Sequence, residues 1–252
     1  MAFDKENIIR LATVDSTNRY LRDEASLLWD KCGHRGMVVV TAGYQTAGRG
    51  QRGNTWNSNV GENLLFSILV RPGKVLKVAE QFILSQAVSL ALHAAMRAYG
   101  IETKLKWPND IYVGERKLAG ILVELDCCGE FVEQAVIGVG VNVNQELFPV
   151  MDKIPVSMKI LQGSDFVIDD VLATILETFE RYYARLCNGD RDSVAAEYEG
   201  LLLGLNEERP FADSTGCFKA VLKGVEPDGC LLLQRNDGSL SRYFFKEVEL
   251  IL

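Results

Sequence analysis

The sequence predicts an α+β protein, with a large sheet-and-helix domain over residues 1–206 and a small β-barrel over residues 207–252. Three observations predict it. Four strand-like segments follow one another between Thr103 and Val143, which implies an antiparallel portion. Two long segments, Val75–Tyr99 and Ile168–Leu186, carry the composition or spacing of helices. From Pro210 onward the chain changes to short strands separated by tight turns.

In chain order, the apolar run Ile8–Val14 reads as a strand and meets DSTN, whose Asp15, Ser16 and Asn18 favour helix caps. An amphipathic helix is expected from Arg19 to Trp29. Met37–Ala42 is a β-branched strand, and Asn63–Arg71 is another that ends at Pro72-Gly73. Val75–Tyr99 lacks glycine and proline and is apolar around much of its circumference, so a helix covered by protein is expected, with Gly100 as its stop. Thr103–Trp107, Ile111–Val113, Leu118–Leu125 and Phe131–Val143 follow as strands with turns at PND, GER and DCCGE. Residues 145–167 mix Pro149, Pro155 and Gly163 with short apolar pieces and read as an irregular crossing of the surface. Ile168–Leu186 spaces its apolar residues as a helix, with Asp169 and Asp170 at the positive end of the dipole. A second helical piece is expected near Ser193–Leu203, and the turns EPDG (226–229) and NDG (236–238) punctuate the barrel.

A chain of 252 residues that is 48% hydrophobic can bury a sizeable core. A formal charge of -7 argues against a general nucleic-acid surface, so any anion site must be local. Without a signal-peptide core or a run approaching ~20 apolar residues, a cytoplasmic location is the expectation. The six cysteines have no C-x-x-C spacing and read as reduced thiols. Only His34 and His93 are present, and no G-x-S-x-G occurs, so zinc and serine-hydrolase chemistry have little to be built from.

Two stretches carry chemistry. GRGQRGNTW (48–56) puts three glycines and two arginines into nine residues between strands. It is either a flexible connection with solvated arginines or a mobile loop whose amides and guanidiniums suit phosphate. Arg49 offers a planar fork for a carboxylate or phosphate, and Trp56 a plate for a purine or a lid for an apolar ligand. KWPNDIYVGERKLAG (106–120) places Lys117 at the mouth of an apolar strand, where it is an ordinary turn lysine or the partner of something negative. Gly120 inside that strand marks a bulge or a close ligand approach, while Asn109 and Asp110 could simply shape a turn. IGVGVNVN (137–144) lacks the third glycine and the helix of a dinucleotide site and reads as a strand; Asn142 can pair with an adenine edge or sit exposed at the strand end.

Taken together, DSTN at 15–18, GYQTAGRGQRGNTW at 43–56, KWPNDIYVGERKLAG at 106–120 and GVGVNVN at 138–144 resemble the biotin protein ligase family. The likeness runs over most of residues 8–145. It implies a class II aminoacyl-tRNA synthetase-like catalytic domain with a mixed sheet, followed by an SH3-like barrel. It also implies activation of biotin by ATP with Mg²⁺ to biotinyl-5'-AMP, then transfer to a lysine of a biotin carboxyl carrier protein domain. Residues carried over for biotin are Ser16, Thr17, Asn18, Gln45, Gly48, Arg49, Lys117 and Gly120. Those for ATP and the adenylate are Arg49, Gly50, Gln51, Arg52, Trp56, Asn109, Lys117 and Asn142. Arg49 and Lys117 carry the charge, and Asp110 is the candidate for positioning or deprotonating the acceptor lysine, or else for Mg²⁺. The metal ligands are otherwise undetermined. Gln51 and Asn54 stand where many relatives have arginine, which lessens the loop's positive charge. Because the first catalytic strand begins within ten residues of Met1, the monofunctional type without a DNA-binding domain is expected, with no DNA and no membrane partner and a homodimer left open. The rivals are a lipoate ligase of related architecture and a non-catalytic biotin- or nucleotide-binding module.

Overall fold

Seven strands form one mixed sheet in the order β1-β2-β3-β7-β6-β5-β4. They are β1 (Ile8–Val14), β2 (Val38–Gln45), β3 (Leu64–Val70), β4 (Lys104–Lys106), β5 (Asp110–Val113), β6 (Arg116–Cys128) and β7 (Phe131–Val141). β1 runs parallel to β2, and every other neighbouring pair is antiparallel. The computed structural model describes residues 8–33, 36–150 and 153–252, with the Arg52 side chain and His34 outside that description. β3 is buried over its whole length, as its unbroken apolar run LLFSILV requires, and only Ser67 is polar.

Period-2 alternation sends successive side chains to two different cores. Val39, Phe66, Ile68, Ile137 and Val139 face helices α3 (Phe82–Ala98), α5 (Ile168–Cys187) and α6 (Arg191–Gly200). Val38, Val40, Leu69 and Val136 face the smaller pair α1 (Thr17–Asp23) and α2 (Ala25–Lys31) through Leu21, Ala25 and Leu28. Because α1 and α2 are short, they leave part of that second face open.

Three boundaries differ from the sequence expectation. The helix expected over Val75–Tyr99 begins only at Phe82. Its first residues are drawn to the β6–β7 hairpin, where Val132 N–H donates to Leu76 O and Val78 N–H to Glu130 O, both at 2.9 Å. The Arg19–Trp29 helix splits into α1 and α2 at Glu24, whose φ of -103° and ψ of 8° interrupt the helical path. The crossing 145–167 contains a short helix, α4 (Met158–Gln162), capped by Ser157 Oγ, which accepts from Ile160 N–H, and closed by left-handed Gly163.

The C-terminal strands β8 (Glu208–Asp213), β9 (Gly216–Val225), β10 (Leu231–Arg235), β11 (Leu240–Tyr243) and β12 (Val248–Leu250) form a second, antiparallel sheet in the order β11-β10-β9-β8-β12. It is tied to the first by Trp107, whose Nε1 donates to Gly229 O at 3.0 Å. All six cysteines are free thiols. Among the described residues no helix is long and apolar enough to cross a membrane.

Candidate active site

Where α1 and α2 stop, the sheet face carries two cross-strand rows in which small or polar residues interrupt the apolar ones. One row runs Val40–Ser67–Gly138–Leu122, and the next Ala42–Leu65–Gly140–Gly120–Asp110. A side chain at Gly138 would strike Asn18, its Cβ coming within 2.2 Å of Oδ1. At Gly140 it would strike the indole of Trp56 at 2.4 Å. The paired glycines of the β7 motif therefore make room for what lies above them, in keeping with the strand reading. Above them opens a cavity of about 940 Å³ that continues to the second sheet.

One end of the cavity is polar and hydrogen-bonded. Thr17 N–H donates to Gln45 Oε1 at 2.8 Å, and Ser67 Oγ lies 2.7 Å from Thr17 Oγ1 and 2.6 Å from Asn18 Oδ1. Asn18 Nδ2 donates to Glu124 Oε2 at 2.8 Å. Ser16 occupies the cap position of α1 with extended backbone, yet its hydroxyl makes no capping bond, and the residue lines the cavity. Ser16, Thr17 and Asn18 are all buried.

The other end is cationic. Lys117 Nζ lies 2.6 Å from Asp110 Oδ1, though off the hydrogen-bond axis, and 3.2 Å from where a Gly120 Cβ would be. Lys153 Nζ reaches Asp110 Oδ2 and Glu249 Oε1, both at 3.8 Å. Lys106 Nζ lies 3.9 Å from Glu249 Oε1, and 5.6 Å from the centre of the Tyr112 ring. Burial, then the charge of Lys153, depresses the Lys106 ammonium to about 8. Burial raises the Tyr112 phenol, so that it stays neutral. Three ammonium groups thus meet two carboxylates, an excess of positive charge that suits an anion.

The glycine loop closes on itself as a small hairpin. Trp56 N–H donates to Gly48 O at 3.0 Å, Gly50 N–H to Asn54 O at 2.7 Å, and Arg49 bridges Thr55. Gly50, Gln51 and Trp56 line the cavity. The indole rests over Gly120 and Gly140, with Lys117 Nζ 5.7 Å from its centre and its own Nε1 buried without an acceptor among the described residues.

Most of the residues expected at a site converge here. Ser16, Thr17, Asn18, Gln45, Arg49, Gly50, Gln51, Trp56, Asn109, Asp110, Lys117 and Gly120 all line the one cavity. Asn109 also holds β6, donating from Nδ2 to Ile121 O at 2.6 Å. Two of the expected residues are not part of that lining. Gly48 lies outside the cavity wall, and its lack of a side chain serves the hairpin, because a Cβ would come within 2.4 Å of Trp56 O. Asn142, expected at adenine, lies behind the wall, its amide donating to Val156 O at 3.1 Å and Lys117 O at 3.4 Å. Arg49 lines the cavity but pairs with Glu124 instead of standing free. Ser67, Lys106, Glu124, Lys153 and Glu249 were not foreseen; the KWPND motif already held Lys106, and only strand register could have revealed Ser67 and Glu124.

Comparison with known proteins shows the family to which the chain is related. A model of the biotin/lipoate A/B protein ligase family matches residues 11–142. The bifunctional ligase/repressor BirA of Bacillus subtilis is 31% identical over 216 residues; these are 84% of this chain and 66% of that protein, just under two thirds of its length. Biotin--[acetyl-CoA-carboxylase] ligase of Paracoccus denitrificans is 30% identical over 239 residues, covering 89% of this chain and 92% of the relative. Among solved structures, the biotin protein ligase from Aquifex aeolicus in complex with biotin and ATP matches with a TM-score of 0.80 at 27% identity, covering 98% of this chain and 99% of that one.

Proposed function

This chain belongs to the biotin/lipoate A/B protein ligase family, and from that premise we propose that it is an ATP-dependent biotin ligase acting on a biotin carboxyl carrier protein domain. The observation that carries the reading is the two-ended cavity: a neutral hydrogen-bonding floor at Gln45, Thr17 and Asn18, joined across Gly138, Gly140 and Gly120 to a lysine cluster. Such a cleft fits a ligand with an amide-like head and an anionic tail, which is the chemistry of biotin and of its adenylate. The relatives' names and the Aquifex complex with biotin and ATP support the same choice.

The reaction has two steps. A carboxylate oxygen of biotin bonds to the α-phosphorus of ATP as the bond from that phosphorus to the β-bridging oxygen breaks, and pyrophosphate leaves with the electron pair. The amine nitrogen of the acceptor lysine then bonds to the acyl carbon, gives up a proton, and displaces AMP. The first step brings two anions together, so its barrier falls mainly through positioning and charge neutralisation, while the second depends on placing the amine against the acyl carbon. Lys117 sits at the glycine-floored middle of the groove, where carboxylate and phosphate meet, and Lys106 and Lys153 extend the positive field toward the departing pyrophosphate. Asp110 orients Lys117 and, once the ligand draws that ammonium away, positions the incoming amine. Trp56 and the hairpin shield the reactive anhydride from water.

The donor set fits Mg²⁺ held in the usual way, by nucleotide phosphates plus at most one or two carboxylates, here Asp110 or Glu249. Bound there, the ion neutralises phosphate charge. The only three-member group of potential metal ligands among the described residues, Glu226, Asp228 and Cys230, lies elsewhere, and Arg242 pairs with both of its carboxylates. Within this proposal, residues 1–206 are the class II synthetase-like catalytic domain and residues 207–252 an SH3-like barrel, which contributes Glu249 to the site.

Mass spectrometry of a carrier domain incubated with the protein, ATP and biotin tests the proposal. Biotin on one carrier lysine, dependent on ATP, is the expected result. Absence of modification, or efficient transfer of lipoate in its place, overturns it.

A further inference from the structure

Glu124 projects from β6 on the same side as Gly120 and Leu122, and its side chain is 14% exposed. One oxygen, Oε1, accepts from Arg49 Nη2 of the loop and, at 3.2 Å, from Arg22 Nη1 of α1. The other accepts from Asn18 Nδ2, which belongs to the polar floor. Arg22 is fixed in turn by Asp126 at 3.3 Å, and Asp126 accepts from Gln134 Nε2 at 2.7 Å. A single carboxylate therefore gathers the first helix, the floor and the base of the hairpin.

Four residues along β6 separate Glu124 from Gly120, beside which Lys117 lies, roughly 13 Å at the rise of an extended strand. The Arg49 guanidinium is thus committed to an internal anion at the polar end, away from the lysine cluster. We propose that Glu124 is a positioning residue that seats the 48–56 hairpin through Arg49, and that the Arg49 side chain serves as an anchor for the loop instead of as a phosphate cation. This rests on the ligase reading above and revises the charge-carrying role that the sequence suggested for Arg49. The hairpin is held at two places: Arg49 on Glu124, and Trp56 on Gly120 and Gly140. Loss of the first leaves the second to hold the lid alone.

Glu124→Gln, Arg49→Gln and the double variant are compared by biotin-dependent exchange between ATP and pyrophosphate. Two residues acting through one contact give non-additive effects, so each single change raises the KM for biotin about tenfold with kcat within about threefold, and the double variant is no worse than the poorer single one. The proposal is overturned if Arg49→Gln cuts kcat about a hundredfold while Glu124→Gln behaves as wild type, for that is the pattern of a cation acting on the transition state. Limited trypsin cleavage after Arg52 in the ligand-free protein supplies a readout independent of activity. Both single variants are cleaved about tenfold faster than wild type if the seat is real, since opening free energy sets cleavage rate; equal rates overturn it. Arg49→Gln alters a half-exposed side chain, so its cleavage stays readable even where Glu124→Gln does not fold. Absence of exchange by the wild-type protein, with cleavage still accelerated in the variants, counts against the ligase reading and leaves the seat standing.

Discussion

Replacing Lys106 by Met should stabilise the protein near neutral pH while impairing its use of ATP. The ammonium is held in a side chain only 7% exposed, and its pKa falls from 10.5 to about 8, chiefly through burial. At ~1.4 kcal/mol per tenfold change in proton affinity, that depression corresponds to about 3 kcal/mol of unfavourable interaction while the group is charged. Below pH 8 the lysine is protonated in both folded and unfolded chains, and the folded state bears the whole burden. Between 8 and 10.5 the folded chain has released its proton while the unfolded chain keeps it, so stability rises with pH across that window. Met fills a similar volume without charge; the lost contact with the Tyr112 ring subtracts about 1 kcal/mol. The net gain expected at pH 7 is about 2 kcal/mol, or roughly 4–8 °C in Tm for a chain of this size. Urea unfolding followed by tryptophan fluorescence at pH 7 and pH 10 measures it, with the advantage of the variant shrinking at the higher pH. A variant less stable than wild type at pH 7, or an advantage that does not change with pH, would refute the reasoning.

Lys117→Ala should reduce biotinyl-AMP formation by about a thousandfold, the scale of losing one preorganised charge contact, with Tm little changed; normal pyrophosphate release would remove Lys117 from its assigned role. Gly138→Ala and Gly140→Ala should fail differently although they lie two residues apart on one strand. At Gly138 the new Cβ meets Asn18, whose amide links floor and Glu124, so a loss of about 1–3 kcal/mol in global stability is expected by denaturation. At Gly140 the new Cβ meets Trp56, which sits on a loop and can move. That change should leave Tm nearly intact, red-shift the tryptophan emission and release free biotinyl-AMP; a matched loss of stability in both variants would argue that the loop is no softer than the floor.

Much of the fold can be read directly because its signals are local. The four strands from β4 to β7, the 20-residue α5 and the β-rich tail follow from periodicity and turn chemistry within each segment. The start of α3 is not legible in the sequence because Leu76 and Val78 gain their partners from a hairpin more than fifty residues later, and no local pattern encodes that competition. The site divides the same way. Lys117, Trp56 and the DSTN residues stand in stretches whose composition is unusual in itself. Ser67 looks like a weak spot in an apolar strand until register places it opposite Gly138 and beneath Asn18. Glu124 resembles a solvated strand residue, and Lys153 lies in the segment read as an irregular crossing. For Asn142 the strand-end position leaves open which backbone it touches, and the pairing of residues 154–156 beside Lys117 supplies those contacts.

The bond from the Trp107 indole to Gly229 bears on any attempt to trim this molecule. A side chain at that glycine would collide with Phe82 at the start of α3, and Glu249, twenty residues further on, is the acid shared by Lys106 and Lys153. A shortened chain ending near residue 206 would strip a wall from the cleft and take Glu249 from both Lys106 and Lys153, leaving Asp110 as the carboxylate that faces the lysine cluster. The C-terminal sheet is therefore no appendage that could be cut away to leave a working core.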